Sequence, residues 1–453
     1  MAAFLHLALL LLAQLPFASD SWSARASLIR DTEIENIIRA YAQPIFKAAG
    51  LKSNDVKIFI VNDNSLNAFV AGGQNLFINT GLILRSDSAN QIIGVIAHET
   101  GHIAGGHLSR VHDALSKASA SAIVAMILGA AAGVASDNPD LGVAIIGGGQ
   151  GLAVRNFLAY SRVQEGSADH AAISYLEQTQ QSTRGLLQFM EKQGDQELLS
   201  IAQQDPYVRS HPLTRDRIST LREHVDNSKF SATPETSEFQ RAHRMMRAKL
   251  FAFVNPYGRT IRAYRTTDSS PASRYARAIG EYRRGKLDPA LDLINGLIHE
   301  SPGSPYFHEL KGQMLFEHGR IKAAMQSYGR AAELLPDAPL IRRDLARSQL
   351  EAGDPALLKE AIDHLQVALA ADRDSALNWR LLATAHGKRG DHARGALALA
   401  EEALILGRPD VARFHAGKAL KAFSRGSREW LQAEDIHFAA DELERTIKRR
   451  RKQ

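Results

Sequence analysis

Two histidines four residues apart, with a glutamate directly after the first, could do chemistry together: His98-Glu99-Thr100-Gly101-His102. An apolar run, Ile92 to Ala97, leads into them and reads as the first turns of a buried helix. Residues four apart on a helix share a face. Two imidazoles so placed can grip one Zn²⁺ from the same side. Glu99 falls between them and can serve as general base toward water activated by the metal.

A catalytic zinc needs a third protein ligand and one open position. The chain has no cysteine, which narrows the choice. The best candidate is Glu165, in Ser161-Arg162-Val163-Gln164-Glu165-Gly166-Ser167-Ala168-Asp169. A helix would put Glu165 and Asp169 on one face. One carboxylate can bind metal while the other accepts the second ring N–H of a ligand histidine and fixes its tautomer. The plainer alternative is a solvated helix face carrying an Arg162–Glu165 pair. His107 suggests a different ligand set, but H-E-x-x-H-x-x-G-x-x-H needs its last histidine at 108, where Leu108 stands. His107 is expected on a helix face or at a helix end.

Further stretches give these motifs a family context. Asn67-Ala68-Phe69-Val70-Ala71-Gly72-Gly73-Gln74-Asn75-Leu76-Phe77-Ile78-Asn79-Thr80-Gly81-Leu82 precedes the histidine motif, and Ser210-His211-Pro212-Leu213 with Arg217-Ile218 follows Glu165. Together, and in this order, they resemble the M48 family of zinc peptidases. The resemblance implies one Zn²⁺ per chain held by His98, His102 and Glu165, with Glu99 catalytic and Asp169 supporting a ligand histidine. It implies that His211 is a regulatory fourth ligand at the open position. The alternative for His211 is a capping or surface histidine. The likeness is greatest to exported members with a C-terminal helical-repeat domain. It implies unfolded or misassembled outer-membrane polypeptides as substrates and the β-barrel assembly machinery as a partner of the repeats.

The elements that must position these residues are readable in part. Thr32 to Ala49 reads as an amphipathic helix, with Pro44 as a kink. Val56 to Val61 and Ala68 to Val70 read as strands, and Gly72-Gly73 as a tight turn. Asn75, Leu76, Phe77, Ile78 and Asn79 read as a third strand. We assign it as the edge against which an extended substrate pairs; an ordinary internal strand is the alternative. A helix is expected around Thr80 to Leu84. Residues 119–152 are rich in Ala, Gly and Ile, broken by Asp137-Asn138-Pro139-Asp140. They read as a close-packed helical hairpin or as a lip over the site, with Gly147-Gly148-Gly149 its most pliable point.

Residues 1–26 read as a secretory signal with an apolar region from Phe4 to Leu12, although no Lys or Arg precedes that region. Cleavage is expected after Ala18 or Ala26, with Ala26 preferred, and places the protein in the periplasm. A lipid-modified lipoprotein is excluded because it requires a cysteine. The net charge of +6 includes no basic face with interleaved aromatics, which argues against nucleic acid. The closing run Lys448-Arg449-Arg450-Arg451-Lys452 is a solvated tail or a peripheral contact with anionic lipid.

After residue 272 the chain repeats. Gly285, Gly319 and Gly353 stand 34 apart, as do Ala290 and Ala324, and Pro302 and Pro336. Tyr282 or Phe316 lies three before the glycine, the tetratricopeptide (TPR) signature. The expected fold is an α+β zincin-like (gluzincin) metalloprotease domain followed by an all-α TPR solenoid. The expected divisions are 27–225 protease, 226–271 linker containing a helix from Glu238 to Phe253 capped by Ser237, 272–425 repeats, and 426–453 capping helix and basic tail. The function expected is a periplasmic zinc endopeptidase. The alternative is a TPR chaperone or adaptor with an inert or blocked zinc site.

Overall fold

The computed structural model describes residues 28–71, 73–107, 150–194, 211 and 213–450. The expected signal segment and nearly all of the segment 119–152 lie outside the described residues. Helix α1 (Thr32–Ala48) begins where Asp31 accepts the Ile34 N–H, and it continues through Pro44. Its apolar stripe, Ile34, Ile38, Tyr41 and Ile45, is buried.

The sheet contains β1 (Leu28–Ile29), β2 (Lys57–Val61), β3 (Ala68–Ala71) and β4 (Asn75–Asn79), in the order β1-β2-β4-β3. β4 runs parallel to β2 and antiparallel to β3. This corrects the edge assignment: Asn75, Leu76, Phe77, Ile78 and Asn79 are bonded on both sides. The physical reason is the turn at Gly73, whose φ of +94° folds β3 back along one flank of β4. The other flank pairs with β2, residue for residue, from Lys57–Asn75 to Val61–Asn79. Among the described residues the outer strand on that side is β3. Phe59, Phe77 and Phe69 stack across the three strands at 5.0 and 4.9 Å, close to the inter-strand spacing of about 4.8 Å.

Helices α2 (Thr80–Arg85), α3 (Ala89–Ala104), α4 (Gln150–Gln178), α5 (Arg184–Gly194) and α6 (Arg215–Asn227) complete this half. Then comes α7 (Ser237–Val254), capped by Thr236 rather than Ser237; the Thr236 hydroxyl accepts the Phe239 N–H at 3.1 Å. Thr236 keeps the extended backbone that a cap needs, whereas Ser237 is already helical. α7 belongs to two cores. Met246 and Leu250 pack with α1 and α3 residues, whereas Met245, Ala248 and Ala252 pack with Tyr275 and Ile279 of the first repeat.

From Pro271 the chain is paired helices: 271–283 with 287–300, 305–317 with 321–334, 339–352 with 358–371, 376–388 with 392–405, and 409–422 with 428–450. Gly285, Gly319, Gly353 and Gly390 all take positive φ between paired helices, which explains their recurrence. The array curls back onto the N-terminal half. Tyr275 donates to Glu33 at 2.8 Å, Thr32 donates to Glu309, and Arg30 meets Asp372 at 2.6 Å. At the centre of this seam lies Lys249, fully buried, 2.8 Å from Asp31 and 3.3 Å from Glu33. Among the described residues no helix is long and apolar enough to cross a membrane.

Candidate active site

Helix α3 starts where Ser88 accepts the Gln91 N–H, and from Gln91 to His102 every residue is buried. It can be so enclosed because its glycines admit close neighbours. A Cβ on Gly94 would fall 2.7 Å from the Leu186 nitrogen, and one on Gly101 would fall 2.9 Å from the Ala168 carbonyl oxygen. The second approach matters for chemistry. Ala168 lies between Glu165 and Asp169 on α4, so drawing it against Gly101 delivers both carboxylates to the histidines of α3.

The donor atoms converge. His98 Nε2 is 3.1 Å from His102 Nε2 and 3.3 Å from Glu165 Oε2, and His102 Nε2 is 3.4 Å from Glu165 Oε1. Tetrahedral ligands at zinc bond lengths of about 2.0–2.1 Å stand roughly 3.4 Å from one another. His211 joins them with Nδ1 3.2 Å from both Glu165 oxygens and 3.4 Å from His98 Nε2. His98, His102, Glu165 and His211 are all buried. Glu99 lies beside them, fully buried, and among the described residues neither carboxylate oxygen has a hydrogen-bond partner. His211 Nε2 stands 3.4 Å from one of those oxygens.

These residues fit a divalent cation. Two imidazole nitrogens that close cannot both carry protons, and they need positive charge between them. The electrostatics without a metal show this strain. Burial opposes a charge on His98, but hydrogen bonds to Asp169 and Glu165 outweigh it and push its pKa up to about 10. Burial, with the charge on His98, pulls His102 down to about 4 despite Glu165. Burial would raise the Glu165 carboxyl, yet His211, His102 and His98 hold it well below the usual range. Glu99 is raised, because burial outweighs the pull of His211 and His98. Metal binding would replace the proton on His98 Nε2.

Asp169 does what the spacing allowed. Its Oδ1 receives His98 Nδ1–H at 2.9 Å. The sequence reading gave no role to Arg217, which grips Asp169 at 2.6 and 2.9 Å and Glu165 at 3.0 Å while itself buried. Thr214 caps α6 and sets Arg217 in its first turn. The signal was present: a cap-forming Thr, three before an arginine, directly after the His211 segment. His107 lies just past the end of α3; its ring touches His102, Nδ1 to Nδ1 at 2.9 Å, and it is not among the converging donors.

The scaffold and its ring of nitrogen and carboxylate donors define a metallopeptidase. Residues 29–225 match the model of Peptidase family M48, and the same span holds His98, His102, Glu165 and His211, a group that could bind a metal ion. It is 23% identical over 388 residues to the beta-barrel assembly-enhancing protease of Yersinia pestis, covering 85% of this chain and 79% of that one. The protein of the same name from Escherichia coli K12 is 23% identical over 395 residues, with the same shares covered. Among solved structures, the crystal structure of MamA aligns with 38% of this chain and 96% of its own, at 18% identity and a TM-score of 0.29.

Proposed function

We propose that this chain is a periplasmic zinc endopeptidase that cleaves unfolded or misassembled outer-membrane β-barrel polypeptides, with the TPR array engaging them or their assembly machinery. The observation that carries the peptidase reading is the buried Glu99 beside four converging donors. The relatives' name, over 85% of this chain, supports the substrate class. An inert adaptor is not favoured, since no expected ligand is missing.

His98, His102 and Glu165 would hold the metal, and bound zinc supplies Lewis acidity toward a peptide carbonyl and toward water. Glu99 takes the proton of the attacking water and passes it to the leaving amine. Its burial raises its proton affinity, which suits both transfers. Asp169 keeps the proton of His98 on Nδ1, so that Nε2 presents its lone pair. Arg217 fixes Asp169 and Glu165 together.

Substrate pairing falls to β3. The Asn79 N–H donates to the Asn67 carbonyl at 3.0 Å, so alternation turns the main-chain groups of Phe69 and Ala71 toward β4. Those of Ala68 and Val70 face the outer side, where an extended chain can add. His211 stands between Glu99 and the ligand carboxylate, in the way of water and carbonyl alike. It acts as a lock that a productive substrate must displace.

One experiment tests both parts. Cleavage of unfolded outer-membrane protein is followed for the wild type, Glu99→Gln and His211→Ala. Glu99→Gln should lower the rate by about 10²–10⁴-fold and keep its zinc. His211→Ala should raise basal cleavage. Full activity of Glu99→Gln would sink the mechanism, and an unchanged or lower rate for His211→Ala would sink the lock.

A further inference from the structure

We propose that His107 is the positioning residue for His102: it accepts the Nδ1–H of that ligand and so fixes the tautomer that offers Nε2 to the metal. The inference rests on the zinc reading above and adds to it the support of the second imidazole.

The contact is direct. His107 is 4% exposed, its Nδ1 lies 2.9 Å from His102 Nδ1, and the rings meet edge to face with centroids 5.0 Å apart. Two glycines make the fold-back possible. Helix α3 ends at Ala104, Gly105 closes it, and Gly106 turns the chain at φ +62°. A Cβ on Gly105 would fall 2.5 Å from His107 Nε2, so the ring occupies space that only glycine leaves. The side chain of Gln164 donates to the His107 carbonyl at 3.5 Å. The residue before Glu165 thereby ties the turn to the helix bearing the third ligand.

The protonation pattern follows from chemistry. Two Nδ1 atoms at 2.9 Å share one proton. His102 needs the lone pair on Nε2 for the metal, so its proton sits on Nδ1 and points at His107. His107 accepts on Nδ1 and carries its own proton on Nε2. The two ligand imidazoles are thus held differently: His98 by a carboxylate clamped by Arg217, His102 by a neutral ring. An outer partner of this kind is worth about 10–100-fold in metal affinity.

The test is zinc affinity of the full chain, measured by competition with a chromophoric chelator, for His107→Ala, His107→Phe and His107→Asn. Alanine removes the acceptor; phenylalanine removes it but keeps the ring's bulk; asparagine places an oxygen near Nδ1. Ala and Phe variants should bind zinc about 10–100-fold more weakly, and Asn within about threefold of wild type. The Phe and Asn variants decide the matter if Ala does not fold. The cobalt(II)-substituted His107→Phe chain should keep the wild-type visible spectrum, because the ligand set is unchanged. Wild-type affinity in His107→Phe, or an Asn variant as weak as Phe, overturns the proposal. So does a cobalt spectrum showing a lost ligand. A wild-type chain that binds no zinc would instead sink the metal reading on which this one stands.

Discussion

The zinc-site region and the repeat array bury opposite kinds of groups. Around the site, four histidines, two glutamates, Asp169 and Arg217 are withdrawn from water, and among the described residues neither Glu99 oxygen has a hydrogen-bond partner. In the array, helices meet through alanine and leucine, and contacts close to backbone distance. A Cβ on Gly312 would fall 2.8 Å from the Tyr328 ring, for example. Array charges such as the Lys359–Asp363 pair lie at the surface, where a pair contributes roughly 0–1 kcal/mol. One region is held in a state that still calls for a cation, while the other is held chiefly by packing, and its buried Glu401 and Glu402 are met by Gln432 and Arg380. Lys249 tests the distinction, because it is as buried as the site yet surrounded by carboxylates that answer it.

The largest expected effect is there. Lys249→Met leaves Asp31 and Glu33 facing each other without their cation. It should destabilise the chain by about 3–5 kcal/mol in denaturant unfolding. A neutral result would mean that apolar burial, as in the array, can replace the seam's charges. Next is Leu365→Ala, deep in the third repeat pair and fully buried. It should cost about 2–4 kcal/mol while leaving cleavage of a short peptide unchanged. Loss of peptide cleavage in step with stability would erase the contrast between the regions.

The smallest is a pH effect at α7. His243 is buried, donates to the Ser86 carbonyl, and has its pKa lowered to about 4, first by burial and then by Arg247. The unfolded chain takes up this proton near pH 6.5 and the folded one only near 4. This contribution is therefore present above pH 6.5 and lost as pH falls toward 4. It amounts to about 2 kcal/mol between pH 7 and pH 5. His243→Gln should flatten stability over that window by this amount. An unchanged slope would mean that the ring is protonated in the folded state.

What was legible in the sequence was local. Helical spacing placed His98 with His102 and Glu165 with Asp169, because periodicity is intrinsic to the chain. The 34-residue glycine spacing marked the helix pairs for the same reason. β4 was mistaken for an edge because its alternation is the same whether one flank or two are bonded. The answer lay in β2, whose pairing is tertiary. Arg217 and Lys249 were silent because their partners are 48 and 218 residues away. A charged residue in an amphipathic segment looks solvated until the chain closes over it. His107 was set aside as a ligand and expected on a helix face or at a helix end, because spacing alone does not show that its ring meets His102.

Helix α7 has one more consequence, for how the molecule can be cut. Its two faces are each a piece of a different core, so no point between 226 and 271 yields two self-sufficient parts. A fragment ending at 225 would bare the seats of Met246 and Leu250, and one starting at 272 would bare Tyr275 and Ile279. Limited digestion of the folded chain should spare this region. Neither half should tolerate exchange for a homologous piece that leaves this helix behind.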